Sequence, residues 1–152
     1  MSAGDNRFME FRLGGQHFAL PLLSVKEVIP KPEITVVPNM PAHFEGMINL
    51  RGQILGVFNV RKKLAAKPGE NANGEVVIVI EQQGVSVGMI VDEVTRVLHP
   101  QPNSIGPAPL KEDDPARHFI SSVIQTGEEL VMTIQVSQLL DLAKYKQHLK
   151  TA

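Results

Sequence analysis

The chain has 152 residues, enough for one domain or two small lobes sharing a core, and its 43% apolar content is ordinary for a globular protein. Fifteen Lys and Arg against sixteen Asp and Glu leave a net charge of −1, too balanced for the positive field that generic nucleic-acid binding needs. The absence of cysteine removes disulfides, thiolate metal sites and cysteine nucleophiles. The N-terminus lacks a basic-then-apolar leader pattern, and the longest apolar run, Val76 to Ile80, falls far short of the roughly 20 residues that a membrane span requires. These features predict a cytoplasmic protein with no direct membrane insertion.

In chain order, short runs rich in Val, Ile and Phe predict strands at Phe8 to Leu13, His17 to Leu22, Ile34 to Val37, Met47 to Leu50 and Ile54 to Val60. Others follow at Val76 to Glu81, Val85 to Val91, Phe119 to Gln125 and Leu130 to Val136. Eleven prolines and twelve glycines leave little room between them for long helices. Gly14-Gly15 and Gln83-Gly84 have the composition of hairpin turns. Ser24 to Glu27 matches a capping box, which reads either as one helical turn or as a short exposed edge presenting Val25 and Glu27. Lys67 to Gly74 and Pro100 to Pro115 read as loops. Val136, Leu139, Leu140 and Ala143 follow helical spacing from a Ser137 cap, so a C-terminal helix over about 137–149 is predicted.

An internal echo organises these strands. QHFALPLLSVKEVI at 16–29 recurs in pattern as VSVGMIVDEVTRVL at 85–98, with Phe18, Leu20, Val25 and Val28 matched by Val87, Met89, Val94 and Val97. HFEGMI at 43–48 resembles FISSVI at 119–124, and Gly52 resembles Gly127. Two similar lobes are expected, centred on about 15–66 and 75–136, each too small to bury an adequate core alone and therefore packed together.

The search for chemistry is empty. The five histidines, at 17, 43, 99, 118 and 148, show no metal-ligand spacing. Asp92-Glu93, Asp113-Asp114 and Glu128-Glu129 read as solvated turns, and Ser121-Ser122 lacks the context of a hydrolase nucleophile. No glycine-rich phosphate loop occurs. Arg61-Lys62-Lys63 is the one basic cluster, and with only Phe58 nearby it reads as a solvated strand end. The INLRGQIL stretch at 48–55 reads as a hairpin. A three-residue loop Leu50-Arg51-Gly52 pairs Asn49 with Gln53 and avoids placing arginine at positive φ. The turn then needs Gly52 and has no need of Arg51.

INLRGQILGVFNVRKKL at 48–64 resembles the Asn-Leu-Arg-Gly segment of CheW-like chemotaxis coupling proteins, and LGGQHFALPLLSVKEVI, ITVVPNMP and VGMIVDEVTRVL resemble that family in the same order. The resemblance implies a single CheW-like domain over 7–149, mainly β, built from two five-stranded SH3-like barrels with a C-terminal helix. It implies no catalysis, no cofactor and no metal. It implies an adaptor joining the regulatory domain of a CheA-type histidine kinase to the cytoplasmic helical tips of chemoreceptors, recruited to the inner face of the membrane through receptor arrays. Arg51 matches a family arginine that looks toward the receptor groove between the lobes, and Val25, Glu27 and Val76 match positions at partner surfaces. Gly56, Asn59, Ser122 and Gln135 depart from the common pattern and leave the choice of partner open, including a specialised non-flagellar pathway. A small β-barrel RNA-binding module and a small-molecule enzyme are the alternatives from other classes.

Overall fold

The computed structural model describes residues 6–40, 44–61, 74–82, 84–114 and 118–140. Eleven strands run in the order β1 (Phe8–Leu13), β2 (Gln16–Pro21), β3 (Val25–Pro30), β4 (Phe44–Leu50), β5 (Gln53–Asn59), β6 (Val76–Gln82), β7 (Val85–Val91), β8 (Glu93–Leu98), β9 (Ile105–Gly106), β10 (Ile120–Thr126) and β11 (Glu129–Ile134), followed by a helix α1 (Val136–Leu140). They form a five-stranded sheet, β3-β6-β7-β5-β4, and a six-stranded sheet, β8-β1-β2-β11-β10-β9. A mainly β fold of two small lobes with a short C-terminal helix is therefore what the chain adopts.

The lobes expected over 15–66 and 75–136 do not coincide with the sheets. Each repeat lends its first hairpin to the other: β1-β2 sits in the middle of the sheet built from β8 to β11, and β6-β7 sits between β3 and β5. Connectors of three residues (Leu22–Ser24) and of one (Asp92) carry the chain across at these points. The two sheets are otherwise equivalent in detail. Val25 pairs with Ile80 and, after a bulge, Glu27 with Val79; likewise Val94 pairs with Phe11 and, after a bulge, Arg96 with Glu10. The parallel pairs β5-β7 and β2-β11 correspond, as do the bulged hairpins β4-β5 and β10-β11.

This exchange explains the unbroken apolar run of β6. Ile78 and Ile80 face the cluster between the sheets, with Phe11, Leu13, Phe18 and Leu20 from the other sheet, while Val77 and Val79 face the inner core of their own barrel with Ile48, Leu55 and Val57. Both faces are buried, so alternation disappears. A smaller core of Ala19, Leu98, Ile124 and Val131 fills the second barrel. At about 1.5–3 kcal/mol for each fully buried large apolar side chain, the cluster shared by the two sheets is the largest apolar contribution to their union.

Three expectations are corrected. Ile34 to Val37 is not a strand: between Pro32 and Pro38 only Thr35 makes a bridge, to Met47, and Val36 is exposed. The Ser24 capping box does not form, because Val25 begins an edge strand and the preceding short helical turn has no side-chain cap; the alternative reading, an exposed edge, is the one observed. Helix α1 starts at Val136, one residue before the expected Ser137 cap, and Ala143 lies outside the described residues.

Asp92 is not in a solvated turn. It is 5% exposed, and its carboxylate accepts from the Gly14 amide at 2.5 Å, the Gly74 amide at 2.7 Å and the Arg61 guanidinium. Its own amide donates to the Arg12 carbonyl at 3.1 Å. One carboxylate thus joins the β1-β2 turn of one sheet to the entry of β6 and the exit of β5 in the other. Removing it leaves Arg61 and two amides buried without an acceptor. Asp92→Ala is expected to cost about 3 kcal/mol or more of unfolding free energy, measured by urea titration; a loss under about 1 kcal/mol would remove Asp92 from this role.

Candidate functional site

The first barrel closes where its two edge strands, β3 and β4, approach one another. Thr35, just after β3, exchanges both backbone hydrogen bonds with Met47 of β4, each 2.8 Å. At the end of the barrel, the Arg51 guanidinium, from the β4-β5 turn, donates to the Glu27 carboxylate of β3. That hydrogen bond is the main reason the Glu27 carboxyl titrates below its ordinary value, with the Arg51 and Lys26 charges adding and burial opposing. The Arg51 guanidinium is held above its ordinary value mainly by the same bond. A depressed carboxyl favours the fold above the carboxylate range, and the contribution is lost as pH falls through that range. Both groups are solvated, so the pair orients Arg51 more than it stabilises the fold.

The turn that carries Arg51 differs from the expected one. Leu50 pairs with Gln53 and Asn49 with Ile54, leaving a two-residue loop of Arg51 and Gly52. Both have positive φ, 51° and 87°, as a type I′ hairpin turn requires. The one-residue register shift keeps Ile48 opposite Leu55, so two buried core residues face each other. Asn49 Oδ1 accepts from the Gly52 amide at 2.8 Å and steadies the turn. In the second barrel the loop between Thr126 and Glu129 begins with Gly127, at φ 63°. Glycine therefore occupies the position that arginine holds in the first barrel. Arginine in the left-handed region is disfavoured, so nothing in the local backbone calls for it.

Of the four residues singled out, Glu27 and Arg51 are brought together, and Val25 is two residues from Glu27 on the same edge strand. Val25 is half-buried against the cluster between the sheets. Val76 packs on that cluster too, but it pairs with Pro30 at the opposite end of the β3-β6 ladder from Val25 and Ile80. The arrangement thus gives an exposed cation at a barrel end with an apolar seam beside it, and Val76 stands apart. Arg61 is not a solvated footprint for nucleic acid, since its side chain is 16% exposed and engaged by Asp92; Lys62 and Lys63 lie outside the described residues. Ser121 and Ser122 both hydrogen-bond the Thr133 hydroxyl, at 2.7 and 2.6 Å.

A second polar group was not anticipated. Glu10, 1% exposed, accepts from Arg96 Nε at 2.6 Å and contacts His17 Nδ1 at 2.7 Å. Arg96 extends to Thr126 and Glu129, each at 3.4 Å, from the edge strand β8 to the β10-β11 hairpin. The hydrogen bond to Glu10 is the chief cause of the raised Arg96 pKa. Glu10, His17 and Glu129 place three donor atoms within 4.8 Å of one another, but the Arg96 guanidinium already provides the positive charge the two carboxylates need. The group is an ion-pair network. Its signal lay in the echo: Glu10 occupies the place of Val79, and Arg96 that of Glu27.

Because the turn backbone favours glycine at both of its central positions, Arg51→Gly is expected to leave the thermal midpoint unchanged or raise it. Gly52→Val, a β-branched residue at positive φ, should lower it clearly. Thermal melts followed by circular dichroism check both; a large loss for Arg51→Gly would show that the turn depends on arginine.

The CheW-like domain family matches residues 7–144. The probable chemotaxis protein CheW of Rhizobium etli is 30% identical over 139 residues, covering 91% of this chain and 90% of that one. The chemotaxis protein CheW of Klebsiella aerogenes is 29% identical over 133 residues, covering 88% and 80%. The crystal structure of the scaffolding protein TtCheW from Thermoanaerobacter tengcongensis superposes with a TM-score of 0.78 at 29% identity, covering 89% of this chain and 92% of that one. With the interleaved barrels and the Asn-Leu-Arg-Gly hairpin in place, the match spans both lobes, and the chain belongs to the CheW-like domain family.

Proposed function

We infer that this protein is a non-catalytic adaptor of a chemosensory array, joining the regulatory domain of a CheA-type histidine kinase to the helical tips of chemoreceptors. The observation that carries the reading is Arg51. It is exposed, it sits in a turn position whose counterpart is glycine, and Glu27 orients it, so an arginine there serves recognition better than folding. The scaffolding role named for TtCheW agrees with this, as does the chemotaxis role named for the Rhizobium and Klebsiella relatives.

In this reading the receptor tip lies beside Arg51, with Val25 and Glu27 in contact, and the kinase domain takes a separate face. Val76, at the far end of the β3-β6 ladder, belongs to a partner surface only at its margin. Apolar contact supplies most of the affinity, at roughly 1.5–3 kcal/mol per fully buried valine, while the charged pair contributes orientation and discrimination. Recruitment to the membrane then follows from the receptors. No helix among the described residues is long and apolar enough to cross one.

The test is a titration of the full chain with a soluble receptor-tip fragment and with the purified kinase regulatory domain, both from the source organism. Val25→Asp and Arg51→Glu should each weaken receptor binding about tenfold or more, equivalent to roughly 1.4 kcal/mol. At least one should leave kinase binding intact. Equal loss of both partners in every folded variant would mean a single shared site and would end the two-face reading.

A further inference from the structure

The hairpins β4-β5 and β10-β11 reverse through different turns. In the first, Arg51 and Gly52 both have positive φ, 51° and 87°, the pattern of type I′. In the second, Gly127 has φ 63° and Glu128 lies outside the positive region, the pattern of type II′. The peptide between the two central residues faces one way in type I′ and is turned over in type II′. That difference decides what position 51 can carry. The first central residue of a type II′ turn takes a conformation suited to glycine, whereas in type I′ it sits in the left-handed region, which other residues enter at a cost. An arginine at position 51 therefore requires the Arg51–Gly52 peptide to face one way and not the other.

One side chain fixes that direction. Asn49, exposed near the end of β4, accepts through Oδ1 from the Gly52 amide at 2.8 Å, and this amide belongs to the central peptide itself. Turning the peptide over would carry the N–H away from Oδ1 and break the bond. Gly52 is compatible with either turn, so glycine alone does not settle the choice. The counterpart of Asn49 on β10 is Gln125, one methylene longer, and it precedes the turn whose peptide faces the other way. At the far end of the arginine side chain, Glu27 accepts from the guanidinium. Arg51 is thus held at both ends, its backbone by Asn49 through the turn and its guanidinium by Glu27.

We propose that Asn49 is a positioning residue for recognition: by fixing the orientation of the Arg51–Gly52 peptide, it presents the Arg51 guanidinium to the receptor tip already aimed. The proposal rests on the adaptor reading above, and adds that the contribution of Arg51 depends on a neighbour that acts through the turn and not through contact with the partner. Preorganisation of this kind raises affinity by lowering the conformational cost of binding.

The test uses the full chain and the soluble receptor-tip fragment. Asn49→Ala removes the acceptor, Asn49→Gln lengthens it as in the second hairpin, and Asn49→Asp keeps an acceptor oxygen in place. The first two should weaken receptor binding about fivefold or more, and Asn49→Asp should recover most of the loss. Thermal midpoints should stay near the parent's, because the hairpin end is solvated. The decisive measurement is a double-mutant cycle with Arg51→Ala, which should itself weaken binding about tenfold. In that background, with no guanidinium left to aim, Asn49→Ala should change receptor affinity by less than about twofold. An equal loss in both backgrounds would mean that Asn49 acts independently of Arg51, and overturns the proposal. So does parental affinity in Asn49→Ala, or a fall in thermal midpoint as large as that of Gly52→Val. If the parent does not bind the receptor tip, or Arg51→Ala binds as the parent does, the reading of Arg51 as a recognition residue falls and takes the proposal with it. If Arg51→Ala loses affinity and Asn49→Ala does not, that reading stands and only the positioning role is removed.

Discussion

The fold depends on a carboxylate at a corner. The chain leaves one sheet at Val91 and enters the other at Glu93, so a single residue, Asp92, has to make the crossing. Its buried side chain gathers the Gly14 amide, the Gly74 amide and Arg61. Those three groups come from the first hairpin, the start of the borrowed hairpin and the end of β5, which are the places where an exchange of hairpins would otherwise leave polar groups unmatched. The apolar cluster between the sheets supplies the area; the aspartate supplies the register in which that area meets. At the equivalent crossing, the short turn before β3, the corresponding residue is the exposed Leu23. The repeat is therefore equivalent in path and unequal in how its two corners are secured.

The same inequality runs through the ends of the barrels. Both close by contact between an edge strand and a hairpin, but the first does so with a strained arginine turn and a solvated acid, the second with a glycine turn and a guanidinium anchored on a buried acid. The duplication makes positions comparable and so exposes side chains that the backbone does not need, such as Arg51 where the second hairpin has Gly127. Comparison of one half of the chain with the other thus serves as an internal control on which residues the fold requires.

Most strands were legible because period and punctuation survive in the sequence: the runs at 8–13, 54–60, 76–81 and 85–91 became β1, β5, β6 and β7 within a residue or so at each end. Two edge strands, β3 and β8, are absent from the predicted strands, although an exposed edge presenting Val25 and Glu27 is one of the two readings of the first. VKEVIP and EVTRVL are paired on one side only and carry charge on their open side, so their composition reads as turn or helix start. The hairpin register was missed by one residue because arginine at positive φ is disfavoured, and the local rule gave way to the pairing of Ile48 with Leu55. Glu27 and Arg51 were identified through resemblance, and their contact is a property of barrel closure that linear spacing does not encode. Glu10 was hidden because a lone acid in an apolar strand resembles an outward-facing residue until its barrel is closed around it.

Hairpin exchange also dictates when the protein can acquire structure as it is made. β1 and β2 are made before the other described strands, yet β2 has its outer neighbour in β11, whose Met132 and Thr133 pair with Phe18 and Ala19. β3 and β5 likewise wait for β6 and β7. An isolated two-stranded hairpin is marginal in water, so Phe11 and Phe18 remain without their native cover until β6 and β7, which carry Ile78, Ile80 and Met89 of their cluster, have been made. The last parallel pair closes the chain from Phe18 to Met132, so the fold rests on pairings distant in sequence, whose loop-closure cost precedes their reward. During that interval the newborn chain offers an apolar hairpin and open strand edges, a state in which nascent-chain chaperones have more to protect than in a protein whose barrels close one after the other.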